Sequence, residues 1–466
     1  MIKVNRRMKH CLRAILLAGL AFLFSVPALL PAEEPLLIVQ LNRAGPLLSD
    51  FHQSLYNEFV RSSANDFFVK SKLFLKFTQT SEVYQGLSST AFSIENLEKM
   101  GFNRAILYLY NVRELLFFAA LEIGERDFQL TSLFLNREKF KTYPYSGVTY
   151  FLKTDESGGK YFCFLYDRGV LYLSNSPRIM ESHLDRIRKA EPVFISDAEK
   201  LREKDFAVFM RFYPGILGSP YFSSYWFNRD ILRLKRDYQR AEVYLQLTRG
   251  KIVENRYFEL EKNLERVQAL GTETIPTGDL ILMTSNEAEI GIFTRMFLKT
   301  FPFAELPRPD KLFVVKRLQM DDRLLVDNRH WLKLSFADSS SAKKWLSKLE
   351  THFSPTAAYL DHLLVFQKDA DVVVKSDADL MYHPKPLGAN VISYGYLRLG
   401  KAVGNAEGEI AALGVAPELD PDQKALLDRF VKPVLGILRK IASVEKITTA
   451  SGRLLTETVT YTLSAQ

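Results

Sequence analysis

The sequence is poor in the residues that most enzymes and metal sites need. Among 466 residues there are two cysteines and seven histidines. Cys11 lies in a basic leader, so the body keeps Cys163 alone and has no partner for an internal disulfide. Cys163 sits in the apolar run Tyr161-Phe-Cys-Phe-Leu165, the setting of a buried, inert thiol. Without disulfides the fold depends on its cores, and a chain of this length has room to build them. The histidines at 10, 52, 183, 330, 352, 362 and 383 include no i, i+4 pair with an intervening glutamate, and no cysteine cluster accompanies them. His352 and His362 bracket a proline-containing turn, where solvent or hydrogen-bonding roles fit better than a metal pair.

Catalytic signatures are equally scarce. There is no Gly-x-Ser-x-Gly elbow and no Gly-x-x-x-x-Gly-Lys phosphate loop. Ser341-Ala-Lys-Lys344 has the Ser-x-x-Lys spacing of penicillin-interacting enzymes, but no Lys-Thr-Gly strand follows, and Ser63-Ala-Asn65 precedes it. A helix start with exposed lysines accounts for it. Asp369, Asp371, Asp377 and Asp379 lack the glycine and close oxygen spacing of a calcium loop, and fit turns and caps. No catalytic residue, metal ligand or cofactor site is expected.

Composition narrows the class further. Hydrophobic residues make up 47% and charged residues 25%, ordinary usage that excludes collagen, disorder and a polytopic membrane protein. The net charge of +8 would suggest a polyanionic partner. Five of the 62 Lys and Arg residues fall in the first 32 positions with no acid among them, leaving 57 against 54 acids in the body. Basic residues there are interspersed with acids, which gives nucleic-acid binding little support.

What is present begins with an address. Met1–Arg13 is basic, Ala14–Leu30 is apolar, and Val26-Pro-Ala28 and Leu30-Pro-Ala32 end in small residues. This is the order of a secretory signal peptide over 1–32. An uncleaved anchor is the alternative, because Ala14–Ala32 holds nineteen uncharged residues, close to a bilayer span of about 20. Pro27 and Pro31 weaken a full helix there. The expected location is the periplasm, with membrane association only through an uncleaved N-terminal segment.

Aromatic and β-branched runs predict strands at 36–41, 105–110, 115–120, 148–152, 161–166, 170–173 and 206–212. Ser176 before Pro177 predicts a helix to about Lys189. Asp127–Phe140 has helical spacing. This order matches an elaborated ferredoxin-like unit with one extra strand. It then echoes itself at an offset near 200: 164–176 matches 365–377, and the hairpin around Gly250 matches the one around Gly452. Helices are expected over Trp226–Tyr238 and Gln423–Ile441 before those hairpins. The expectation is an α+β protein of two related domains, 33–272 and 273–466, each a mainly antiparallel sheet with helices on one face. The boundary is the turn-rich stretch Gly271–Gly278.

The unit Gly169-Val-Leu-Tyr-Leu-Ser-Asn-Ser-Pro177, its helix and the strand Asp205–Phe212 resemble exported bacterial proteins of unknown function. The resemblance covers about half the chain; it implies export and a non-catalytic role.

The densest aromatic stretch is Pro220-Tyr-Phe-Ser-Ser-Tyr-Trp-Phe227. Tyr221, Phe222, Tyr225, Trp226 and Phe227 would be core where a helix begins or, if exposed, an anchor for a partner or ligand. The functional expectation is an exported structural or binding protein acting through protein or envelope contacts. An apolar-ligand carrier is the alternative, motivated by 34 Phe and 21 Tyr. A hydrolase without a recognisable motif stands third.

Overall fold

Tyr161–Asp167 carries apolar side chains at successive positions, which in a strand places them on both faces of the sheet. Phe162 and Phe164 enter one core, and Cys163 and Leu165 enter the other. In the computed structural model this segment is an inner strand of the first of two compact units. The units comprise residues 1–53 with 65–232, and 54–64 with 233–466. The structure describes residues 34–42, 58–59, 61–65, 83–88, 100–111, 114–155, 158–195, 206–214, 238–248, 250–261, 269–271, 274–287, 289–291, 306–316, 330–357, 363–376, 382–414 and 420–464.

The first unit contains β1 (Leu37–Leu41), β2 (Arg104–Asn111), β3 (Leu116–Glu122), β4 (Lys141–Tyr145), β5 (Val148–Thr154), β6 (Tyr161–Asp167), β7 (Val170–Ser174) and β8 (Val208–Phe212). All pair antiparallel, in the order β8-β1-β2-β3-β7-β6-β5-β4. Leu121, Leu171, Leu173 and Phe164 pack on one face with Phe102, Phe128 and Leu133. Ile106, Phe118 and Tyr172 pack on the other with Ile179, Met180 and Leu184 of the Pro177–Arg188 helix. That helix starts as its sequence dictates: the Ser176 hydroxyl accepts the Ile179 N–H, and Pro177 occupies the first turn. The segment after β3 breaks into the short helices Glu125–Gln129 and Ser132–Leu135 and a 3₁₀ turn.

The second unit contains β9 (Tyr238–Thr248), β10 (Lys251–Leu260), β11 (Thr274–Pro276), β12 (Leu280–Thr284), β13 (Lys311–Lys316), β14 (His330–Ser335), β15 (Leu363–Lys368), β16 (Asp371–Ser376), β17 (Tyr382–Pro386), β18 (Val391–Leu397), β19 (Ile441–Ser451) and β20 (Leu454–Leu463). The paired order is β9-β10-β20-β19-β18-β12-β13-β14-β16-β15, with β11 and β17 forming a separate ribbon. β13 repeats the two-faced pattern. Leu312 and Val314 pack with Trp345 of the Ser339–Ala357 helix, while Phe313 and Val315 pack with Ile281 and Tyr394.

The expected α+β class with helices on one face of ferredoxin-like sheets is therefore overturned. Eighteen of the described strands form antiparallel sheet, and strand outweighs helix. A split unit would insert a later strand between β1 and its successor, whereas β1, β2 and β3 lie side by side in chain order. Continuous apolar runs explain the difference: β6 and β13 need cover on both faces, so helices and loops are spread over both.

The hairpins around Gly250 and Gly452 form as their sequences indicate, with positive φ of 85° and 58° at those glycines. The repeat reading had assigned them to different domains. They belong to one unit, and β10 pairs along its length with β20, Asn255 opposite Thr458 and Arg256 opposite Glu457. Residues 226–237 of the expected first helix lie outside the described residues and Tyr238 begins a strand, while the helical stretch before β19 contains a π turn at Leu427–Val431 and ends at Leu438.

Candidate functional site

The aromatic residues singled out from sequence, Tyr221, Phe222, Tyr225, Trp226 and Phe227, lie outside the described residues, as do the N-terminal leader and Gly215–Pro220. A different aromatic group is brought together in the first unit. It begins at Tyr145-Ser-Gly-Val148, where Ser146 (φ 47°) and Gly147 (φ 83°) form a two-residue turn with both central φ positive. This turn suits the twist of a hairpin, and it sets Tyr143 of β4 opposite Tyr150 of β5. Their ring centroids are 5.7 Å apart. Tyr150 is buried and Tyr143 is half-exposed.

Two tyrosine–carboxylate bonds tie the hairpin to the Pro177–Arg188 helix. The Tyr150 hydroxyl donates to Glu181 Oε1 at 3.0 Å, and the Tyr145 hydroxyl donates to Asp185 Oδ2 at 2.9 Å. Glu181 and Asp185 are one helical turn apart, so both face the hairpin. Burial and the bond to Glu181 push the Tyr150 phenol above its ordinary range, keeping it a donor.

Between hairpin and helix start lies an open cleft of about 580 Å³, also lined by Tyr84, Tyr161, Lys160 and Glu114. Lys160 Nζ is 3.6 Å from Glu114 Oε2 and 6.0 Å from the centre of the Tyr84 ring. Arg178, exposed in the first turn of the helix, stands at its rim. The floor is held by Asn175. Its Oδ1 accepts the Phe117 N–H, and its Nδ2 donates to the Leu115 carbonyl, each at 2.9 Å. That pair prolongs the β3–β7 ladder by one side chain and braces Leu115, whose φ is 51°. The cleft thus offers aromatic faces, two carboxylates and two cations on a braced frame. It can bind and orient, and its charges balance.

Among the described residues, four groups of kinds used in catalysis are committed elsewhere. His183 is buried, with its ring parallel to Phe118 at 3.6 Å, and its Nε2 is 2.6 Å from the Tyr110 hydroxyl. Burial, helped by Arg186, lowers its pKa from 6.5 to about 3. It is a neutral core histidine that shares a hydrogen bond with the Tyr110 hydroxyl. Burial pushes the Cys163 thiol up to about 12, with Glu181 adding to the effect. Ser341 is part of a helix cap: Asp338 accepts its N–H and its hydroxyl. Asp369 forms the β15–β16 turn at φ 53°. Among the described residues, no group of three or more His, Cys, Asp or Glu is placed to hold a metal.

The second unit holds a buried ionic layer. Lys446 lies 2.9 Å from Glu289 and 3.4 Å from Glu457, and Glu457 in turn meets Arg256. Arg256 also bonds Glu254. Burial alone would lower the Lys446 pKa, but Glu457 and Glu289 raise it. Glu289, also bonded by Ser393 and Thr284, is held below its ordinary value against its own burial. This is charge paired within the sheet.

No family model matches the chain, and no curated protein matches it. Three crystal forms of TP0453 align with it among solved structures. Form IV shares 11% identity at a TM-score of 0.28, covering 50% of this chain and 81% of that one. Form I shares 10% at 0.29, covering 75% and 92%. Form III shares 8% at 0.27, covering 75% and 93%. Likeness at this level carries neither fold nor function to this chain. No helix among the described residues is long and apolar enough to cross a membrane.

The cleft residues were not picked out from sequence. Pro144 hid β4, because a proline argues against a strand unless it lies at an edge, and among the described residues β4 is an edge strand. The signal was available in Tyr-Pro-Tyr-Ser-Gly-Val-Thr-Tyr, a Ser-Gly turn between alternating aromatics.

Proposed function

We propose that this is an exported protein that works in the bacterial cell envelope by binding, without bond chemistry of its own, and that the tyrosine-lined cleft of the first unit is its binding surface. The observation that carries this is the cleft itself: an open, braced concavity with convergent aromatic and charged groups beside a helix start. The leader over residues 1–32 supports export, and the immobilised His183 and Cys163 favour a binder over a hydrolase.

The alternative, a carrier of an apolar ligand, has less support. Phe118, Phe162 and Phe164 are spent on closed cores, and the cleft is rimmed by ions. Native mass spectrometry of gently purified full-length protein tests the proposal. A retained polar mass that Tyr143→Ala releases is expected. A retained lipid mass unaffected by Tyr143→Ala would favour the carrier, and no retained mass from any envelope fraction would refute the cleft as a binding surface.

A further inference from the structure

The lining of the cleft is specific in chemistry as well as shape. Of its four tyrosines, Tyr84 and Tyr150 are buried in the wall, while Tyr143 and Tyr161 remain accessible and combine ring faces with hydroxyls. Glu181 supplies a planar pair of acceptors and Arg178 a planar fork of donors. The Glu114–Lys160 pair completes two charges of each sign. Groups of this kind match a ligand with apolar C–H faces and many hydroxyls that both donate and accept.

Other ligand classes fit less well. A polyanion would meet two carboxylates for every two cations. An isolated phosphate would need free N–H groups at the helix start. There, Pro177 has none and the Ile179 N–H is given to Ser176. An acyl chain needs an enclosed apolar tunnel, and this cleft is open. A peptide adding to the β4 edge would lose one ladder donor at Pro144. The volume of about 580 Å³ lies in the range of about 300–1,000 Å³ that holds compact organic ligands.

We propose that this cleft, between the β4–β5 hairpin and the start of the Pro177–Arg188 helix, binds a neutral oligosaccharide through tyrosine ring faces and the Glu181 and Arg178 side chains. This rests on the cleft being the binding surface and goes further in assigning the ligand class. Tyr143, half-exposed across from Tyr150, is the stacking platform; Glu181, oriented by the Tyr150 hydroxyl, receives sugar hydroxyls.

The test uses the full-length protein with two neutral probes, N-acetylglucosamine tetrasaccharide and maltotetraose, and with a heparin tetrasaccharide as the anionic probe. Saturation-transfer NMR and titration calorimetry read binding. The expected result is transfer to the ring protons of at least one neutral probe. Tyr143→Ala should weaken that binding about tenfold, and Tyr143→Phe should retain it, because stacking needs the ring and not its hydroxyl. Glu181→Gln should weaken it as well. The ligand-free melting temperature of Tyr143→Ala should stay near wild type, since that side chain is half-exposed. Absence of transfer from both neutral probes, preference for heparin, or binding indifferent to Tyr143→Ala and Glu181→Gln would overturn the assignment. If both sugars fail while native mass spectrometry still shows a Tyr143-dependent retained ligand, the binding role stands and the saccharide falls.

Discussion

Lowering the pH should weaken the first unit through His183. The imidazole is enclosed by Phe118, Tyr108 and Tyr110, with Arg186 nearby. Its pKa falls from 6.5 to about 3 on folding. Between those values the unfolded chain binds a proton that the folded unit refuses, so stability falls as pH falls. It is fully present above the unfolded value. Linkage gives a loss of about 2 kcal/mol between pH 7 and pH 5, and about 4 kcal/mol by pH 3. With a urea m-value of about 2 kcal/mol/M, the first of these moves the midpoint by about 1 M. The assay is pulse-labelled hydrogen exchange of the full chain across a urea series, reading peptides from β3 and the Pro177–Arg188 helix at both pH values. His183→Gln, which keeps an acceptor for Tyr110 but does not titrate, removes this contribution, and the wild-type-minus-variant difference cancels other groups. If the wild-type midpoint drops between pH 7 and pH 5 by no more than the variant's, the fold does not hold His183 neutral.

Four further outcomes follow from the same geometry. Asn175→Ala breaks two side-chain bonds to the β3 approach and should cost about 2 kcal/mol, read from the same β3 peptides. Gly278→Ala would place a Cβ 2.6 Å from Val315 Cγ1 and 3.1 Å from the Lys316 carbonyl, so it should destabilise the second unit by about 1–3 kcal/mol in urea unfolding. Lys446→Met leaves Glu289 and Glu457 facing each other without their shared cation. A loss of about 3 kcal/mol in exchange of β19 and β20 peptides is expected; an unchanged value would mean the ionic layer is not coupled through this lysine. Cys163 should resist thiol reagents at pH 8 until urea opens the first unit, and labelling of the native protein at the rate of a free thiol would contradict its burial.

Much of the local structure was legible because it depends on neighbours in the chain. Ser176-Pro177 capped its helix, Gly250 and Gly452 turned their hairpins, and the aromatic run at 161–167 became a strand. The helical spacing over 127–140 was misleading in part: Thr131 and Asn136 cap and terminate turns there, and three short pieces result. The cleft was illegible because its members come from positions 84, 114, 143–150, 160 and 175–181, joined only by sheet order. No spacing rule connects them.

By itself the sequence determined a basic then apolar first 32 residues, a nearly neutral remainder with a single cysteine, and the placement of most strands, since charge, hydropathy period and turn chemistry are local. Tertiary structure decided that runs such as β6 and β13 are covered on both faces, that the Gly250 and Gly452 hairpins pair within one unit, and that His183 is a neutral core residue. Each of these depends on which distant segment supplies the opposing surface. Strand pairing and desolvation are properties of the assembled sheet, and they are what converted scattered tyrosines into a site.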